Sequence, residues 1–307
     1  MTRLLHLDAS PRPGRSGTHE HGSHSRRLSH HFIEHWKAAR PRDAVTRRDL
    51  GVRPPSLLNV EWIEAAFTPS TQRPAALQQV LAESDSLVDE VIQSDVLVLG
   101  VPLYNYSYPA AFKAWIDQIV RVERTIYFDP ANTEHPVGPL LNDRPRHAVI
   151  LSSRGGFGLG AGGPLAHLNH LEASVRTALE LIGIEHFHEI AIEYQEEGGE
   201  RLDASVRNAL AEVERLVARL QRTLSPCRGR YPRDAGAPAF GLHCKPLPSG
   251  PVPADHGAPR CPRSRKPTRR SPPSASASAR WPRSCSWSAG RITSPCGRSP
   301  PGWASAR

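Results

Sequence analysis

The chain has 307 residues, with 39 Lys/Arg against 30 Asp/Glu and a formal charge of +9. The charge is split: 15 of the basic and 2 of the acidic residues follow Pro226, near +13, which leaves 24 and 28 before it, near −4. A basic active domain is thereby excluded, as is a disulfide framework, because all five cysteines (Cys227, Cys244, Cys261, Cys285, Cys296) lie after Pro226 with no C-x-x-C pair among them.

In chain order, Leu4–Leu7 is a short apolar run ending in Asp8-Ala9-Ser10, read as a strand and then a loop. Ser25–Ala39 reads as a helix, with Leu28, Phe32 and Trp36 four apart, and Ala44–Leu50 as a second strand. Pro54 to Pro74 is irregular, with one helical turn expected around Glu61–Ala66. Ala75–Gln93 carries apolar residues at helical spacing and reads as one helix. Asp95–Val101 is apolar on both faces, as a central parallel strand must be. Pro109–Val122 is a helix, His147–Leu151 a strand, and His167–Ile182 a helix stopped by Gly183. His188–Glu193 is the last strand and Arg201–Leu224 the closing helix.

Five strands alternating with five helices predict a parallel sheet covered on both faces. Right-handed crossovers then suggest a flavodoxin-like α/β three-layer sandwich with strand order 2-1-3-4-5 over residues 1–225. Residues 226–307 hold 16 of the thirty prolines and lack apolar periodicity, so a disordered basic tail is expected there. An unfolded extension is preferred over a nucleic-acid-binding arm. No targeting segment is read: Thr2–Ser10 is interrupted by Arg3 and Asp8. The longest apolar run, Val96–Leu103, falls short of the roughly 20 residues of a membrane helix. A cytoplasmic protein without membrane contact is expected.

In the 2-1-3-4-5 order, ligands bind outside the carboxyl ends of the strands, which directs attention to three loops. The first runs from Ser10 to Ser25 into a helix N-terminus, whose free N–H groups suit a phosphate. Ser10, Ser23 and Ser25 add hydroxyls; ordinary N-capping by Ser23 or Ser25 is the plainer reading of two of them. His19, His21 and His24 share this loop, but no second cluster of Asp, Glu or His accompanies them, and no metal is assigned. The second loop, Pro102-Leu103-Tyr104-Asn105-Tyr106-Ser107-Tyr108, could flank a planar ring with aromatics; packing on a neighbouring helix or a subunit interface is the alternative. The third, Ser152-Ser153-Arg154-Gly155-Gly156-Phe157-Gly158, has glycines that admit a ligand close to the backbone. The G-x-G-x-x-G match at Gly158–Gly163 follows the fourth strand and lacks a ribose-binding acid, so a dinucleotide fold is discounted.

Together the loops resemble those of the FMN-dependent NADH-azoreductase (NADH:quinone oxidoreductase) family over about Met1–Leu224. Ser10 with Ser23-His24-Ser25 and Leu28 is similar to its phosphate-binding serine loop. Pro102-Leu103-Tyr104-Asn105-Tyr106 is similar to its P-M-Y-N-F run along the isoalloxazine, and Ser153-Arg154-Gly155-Gly156 to its S-R-G-G run beside the flavin; Glu193 looks like a family acid. The sequence departs from the family in the extra residues Pro11–Gly22 and at Glu123–Phe128, which lacks the family's glycine and first aromatic.

The resemblance implies FMN as cofactor, NADH as electron donor, quinones or azo compounds as acceptors, two-electron ping-pong chemistry with no side-chain nucleophile, and a homodimer with interfacial sites. The implied cofactor contacts are Ser10, Ser23, His24, Ser25, Leu103, Tyr104, Asn105, Tyr106, Ser153, Arg154, Gly155 and Gly156, with Phe157 lining the ring or substrate. Two rivals stand beside it: a flavodoxin-type electron carrier, against which the aromatic loop and weak net charge argue, and an FMN-free binding module.

Overall fold

The computed structural model describes residues 1–224; the expected tail at 226–307 lies outside them. The element order is β1 Arg3–Asp8, α1 His24–Ala39, β2 Ala44–Asp49, α2 Val60–Phe67, α3 Ala75–Val80, α4 Ala82–Gln93, β3 Val96–Pro102, α5 Ala110–Ile119, β4 Ile126–Phe128, β5 Val137–Pro139, β6 His147–Ser153, α6 Leu171–Ile182, β7 His186–Ile192 and α7 Gly199–Thr223. Five strands form one sheet in the order β2-β1-β3-β6-β7, every neighbouring pair parallel. Counting only these five, the order is 2-1-3-4-5, as expected.

Alternation along the central strands builds the three layers. Leu5 and Leu7, Leu97, Leu99 and Val101, and Ala148 and Ile150 face one side, against Leu87, Val88 and Val91 of α4, Phe112 and Trp115 of α5, and Val175 and Leu179 of α6. Leu4, Val96, Val98, Val149 and Leu151 face the other, against Leu28, Phe32 and Trp36 of α1 and Val213, Leu216, Val217 and Leu220 of α7. β3 and β6 are buried at all seven positions, because helices cover both of their faces. The edge strand β2 has no fully buried residue. Truncating a central side chain such as Leu99 to Ala removes contacts on a face that cannot collapse, at a cost of about 2–5 kcal/mol.

Four details differ from the sequence expectation. Residues 75–93 are two helices, because the chain breaks at Leu81 (ψ 0), whose N–H turns to the Gln78 and Gln79 carbonyls. The expected single turn at 61–66 is the two-turn α2, started by Asn59, whose Oδ1 accepts from the Trp62 N–H at 2.8 Å. The helix expected from His167 begins at Leu171, after a 3-10 turn at Ala166–Leu168. A short antiparallel hairpin, β4–β5, stands outside the main sheet, between Val122 and His147, where the sequence reading assigned no element. The stop at Gly183 is as expected: its φ of 104° closes α6, and a Cβ there would sit 2.9 Å from the Leu141 carbonyl carbon.

Candidate functional site

The loops after β1, β3 and β6 leave adjacent strands at the same carboxyl edge, since the order β1-β3-β6 is continuous and parallel. Direct bonds tie them together. The Ala9 N–H donates to the Gly100 carbonyl at 2.9 Å, and the Leu103 N–H to the Ser153 carbonyl at 2.8 Å.

The first loop carries the extra residues without spreading the strand from the helix. The Ser23 N–H donates to the Gly14 carbonyl at 2.7 Å and the Ser16 N–H to the Ser23 carbonyl at 3.1 Å. This neck pinches off residues 15–22 as a self-contained loop and leaves a short path from Ser10 to α1. Ser23 is the N-cap: its Oγ accepts from the Arg26 N–H at 3.3 Å and lies 3.0 Å from Ser25 Oγ. The capping reading of Ser23 therefore holds in the structure. The remaining first-turn N–H groups have no partner within the helix and suit an anion.

Arg26, overlooked in the sequence reading, anchors this corner. It is buried, and its guanidinium donates to both Asp49 oxygens at 2.6 and 2.7 Å and to the Ser10 carbonyl at 2.6 Å. Ser10 is thereby fixed between the ends of β1 and β2. Gly51 completes the fit, since a Cβ there would lie 1.9 Å from the Ser10 carbonyl oxygen. Asp8, fully buried below, accepts from Ser29 Oγ at 2.7 Å. Burial opposes its ionisation, but His6, Ser29 and Arg26 outweigh burial and hold the carboxyl below its ordinary value. His24 lies 2.8 Å through Nδ1 from Ser16 Oγ. Burial, then Arg27 and Arg12, lower its pKa, so the ring stays neutral near pH 7 while two guanidiniums give the helix start a positive surrounding.

The second loop is a tight turn. Tyr104 and Ser107 exchange both backbone bonds, at 2.7 and 3.0 Å, around Asn105 (φ 49°) and Tyr106 (φ 64°). Two positive φ values in succession define a type I′ turn, natural for Asn and strained for Tyr. The His170 N–H, entering α6, donates to the Tyr106 carbonyl at 2.9 Å and pins the turn. Leu103 is half-buried, whereas Tyr104, Asn105 and Tyr106 are exposed. The strain thus holds polar and aromatic groups open to solvent at the sheet edge.

In the third loop Ser153 and Arg154 are buried and Gly155 and Gly156 half-buried. The Arg154 guanidinium does not point outward. It donates to Glu172 Oε1 at 2.7 Å and to Glu193 Oε1 at 3.0 Å. Glu193 also accepts from the Gly158 and Leu159 N–H groups, each at 3.2 Å, while Glu172 accepts from Ser152 Oγ at 2.8 Å and Asn169 Nδ2 at 2.6 Å. Burial opposes charge on Glu172, but Arg154 and Ser152 more than offset it, and its pKa lies below the ordinary value. The network spans β6, α6 and the end of β7, and the Arg154 backbone is tied as well, its N–H donating to the Ile192 carbonyl at 2.8 Å and its carbonyl accepting from the Gln195 N–H at 3.3 Å, so Arg154 shapes the loop beneath the Gly155 and Gly156 N–H groups. Exposed Phe157 stacks on Tyr194 at 5.0 Å, with Tyr194 also at positive φ (67°). Glu172, Asn169 and Tyr194 escaped the sequence reading because no local spacing links them to Arg154.

Comparison with known proteins agrees with this fold. A family model described as flavodoxin-like fold matches residues 2–217. The chain is 40% identical over 220 residues to an FMN-dependent NADH:quinone oxidoreductase of Colwellia psychrerythraea, a match covering 72% of this chain and all of that protein. It is 41% identical over 219 residues to an FMN-dependent NAD(P)H:quinone oxidoreductase of Pseudomonas aeruginosa, covering 71% and 98%. Among solved structures, an azoreductase of Bacillus anthracis superposes with a TM-score of 0.61 at 22% identity, over 71% of this chain and all of that one. A second from the same species, an FMN-dependent NADH-azoreductase in complex with FMN, does so with a TM-score of 0.59 at 17% identity, over 72% and 99%. With the fold, the strand order and near-complete coverage of these relatives in agreement, the chain belongs to the family of FMN-dependent NADH:quinone oxidoreductases within the flavodoxin-like fold.

Proposed function

We propose that this protein is an FMN-dependent NADH:quinone oxidoreductase that also reduces azo compounds. The observation that carries the reading is the convergence, at one sheet edge, of an anion-ready helix start, a strained aromatic turn and a glycine loop braced from beneath. These fit FMN part by part. The α1 start with Ser10, Ser23, His24 and Ser25 suits the phosphate, in a surrounding made positive by Arg12 and Arg27. Leu103, Tyr104, Asn105 and Tyr106 suit one side of the ring system. Ser153 and the N–H groups of Gly155 and Gly156, braced by Arg154, suit another, and a Cβ at Gly156 would find its nearest neighbour only at 3.9 Å, so room remains there.

Bound FMN would supply the redox chemistry, taking a hydride from NADH and then passing two electrons to a quinone or azo acceptor. The protein's residues bind and orient. In this reading Asn105 and the loop N–H groups would hydrogen-bond the polar ring edge, while Tyr104, Tyr106 and Phe157 would offer faces on which nicotinamide and acceptor can alternate. No buried nucleophile or general acid is required of the side chains.

A homodimer is part of this reading. Val60, Ile63 and Phe67 on α2 are 76%, 50% and 62% exposed, an apolar face that a second copy would cover. Residues 1–225 are read as the catalytic domain and 226–307 as an appendage. The absence of cysteine before residue 227 supports a cytoplasmic setting, and no helix among the described residues is long and apolar enough to cross a membrane.

The test is the absorbance of the purified protein, bleaching by NADH, and reoxidation by a quinone, with parallel double-reciprocal plots expected for ping-pong turnover. FMN binding without turnover above free FMN would favour the electron-carrier reading. A protein that stays colourless with added FMN would favour the binding module. Gel filtration of the active enzyme tests the dimer; a fully active monomer would refute it.

A further inference from the structure

Away from the flavin edge, the outer flank of α1 meets α7 and brings two histidines of α1 to a glutamate far along the sequence. His31 and His35 are four residues apart on α1 and so share one helix face. Their rings lie 4.2 Å apart, centroid to centroid. Glu214 of α7 reaches across to both: its Oε1 is 3.1 Å from His31 Nε2 and 3.7 Å from His35 Nε2. One ligand atom from each of the three lies within 4.8 Å of the others.

A single hydrogen bond between His31 and Glu214 would account for one contact but not for a second imidazole aimed at the same oxygen. Two imidazole nitrogens and one carboxylate oxygen form a familiar donor set for zinc. A tetrahedral ion with ligand bonds of about 2.0–2.2 Å separates its ligands by about 3.3–3.6 Å, and the two observed nitrogen–oxygen distances bracket that span. The two imidazole donors, within 4.8 Å of each other, would draw together as the three close on an ion. Two neutral imidazoles and a carboxylate carry one negative charge, which a divalent cation would more than neutralise. His35 and Glu214 are exposed, so solvent can supply the fourth ligand and an ion can enter. Below the site the helices are already packed through Phe32, Trp36, Val213 and Val217, so the donors stand on rigid elements.

We infer that His31, His35 and Glu214 form a binding site for a divalent transition-metal ion, zinc by donor chemistry, that staples α1 to α7. The site is separate from the three loops at the carboxyl edge, so its test does not depend on flavin turnover. The experiment is calorimetric titration of the chelator-treated full chain with ZnCl2, together with thermal unfolding with and without Zn2+. One ion should bind at micromolar or lower concentration, and Zn2+ at a hundredfold excess over its Kd should raise the folding constant about a hundredfold. Glu214→Gln and His35→Gln, which keep side-chain size, should each weaken binding at least tenfold, and His31→Ala/His35→Ala should abolish it along with the stabilisation. Unchanged affinity and stabilisation in the double variant would overturn the assignment and locate the ion among the other histidines. Absence of binding to the unmodified chain at millimolar Zn2+ would overturn it as well.

Discussion

Replacing Arg154 with Ala should damage both stability and the third loop. The guanidinium is 7% exposed and closes two ion pairs, at 2.7 Å to Glu172 and 3.0 Å to Glu193. At an effective dielectric of about 20, each contact is worth about 6 kcal/mol before desolvation. Desolvation of three charges offsets most of that gain. Removing Arg154 alone leaves Glu172, 9% exposed, charged among Ser152 and Asn169 with no cation, the situation that costs about 3–5 kcal/mol. Glu193 is 21% exposed and can recruit water, so the larger share of the cost falls on Glu172. The same reasoning sets the pH dependence. Glu172 has a folded pKa below its unfolded value of 4.5, so its stabilisation is full above pH 4.5 and is lost as pH falls through the folded pKa. In Arg154→Ala that dependence should shrink or reverse. Urea denaturation at pH 7 and pH 4 measures both effects, and Arg154→Met/Glu172→Gln should recover at least half of the loss. A loss under 1 kcal/mol at pH 7, or a double variant no better than the single, would refute the buried network as the brace of the loop.

Three further outcomes are expected. Gly51→Ala would force a Cβ to 1.9 Å from the Ser10 carbonyl, so Ser10 must shift; equilibrium dialysis should find FMN affinity down tenfold or more, and denaturation a loss of about 1–3 kcal/mol. Tyr106→Gly relieves a non-glycine φ of 64°, so stability should hold or rise by about 1 kcal/mol while quinone turnover falls with the lost aromatic face. At the opposite sheet edge, burial, then His186 and His188, lower the pKa of His147 to about 4. The unfolded ring takes up its proton near 6.5, so stability should be full above that pH and decline by up to about 3 kcal/mol as pH falls to about 4. His147→Leu should flatten that segment of the denaturation profile.

What the sequence determined by itself was the layered α/β fold, the order of the five main strands and the three loops at their carboxyl ends. Apolar runs such as Val96–Val101, buried on both faces, have few alternatives to a central parallel strand, and amphipathic spacing in α1 and α7 announces which face packs. These are local or near-local properties of the chain. The break at Leu81 and the β4–β5 hairpin were not legible, because a single turned residue and two three-residue strands leave no periodicity to read. Only the tertiary structure decided that residues 15–22 are pinched off at Gly14 and Ser23, that the Arg154 side chain is committed to Glu172 and Glu193, and that His31 and His35 meet Glu214. Each depends on partners 9 to 183 residues apart whose approach is set by how helices cross the sheet. Sequence spacing names the residue types that a site requires; the packing of distant elements decides which of their atoms remain free to act.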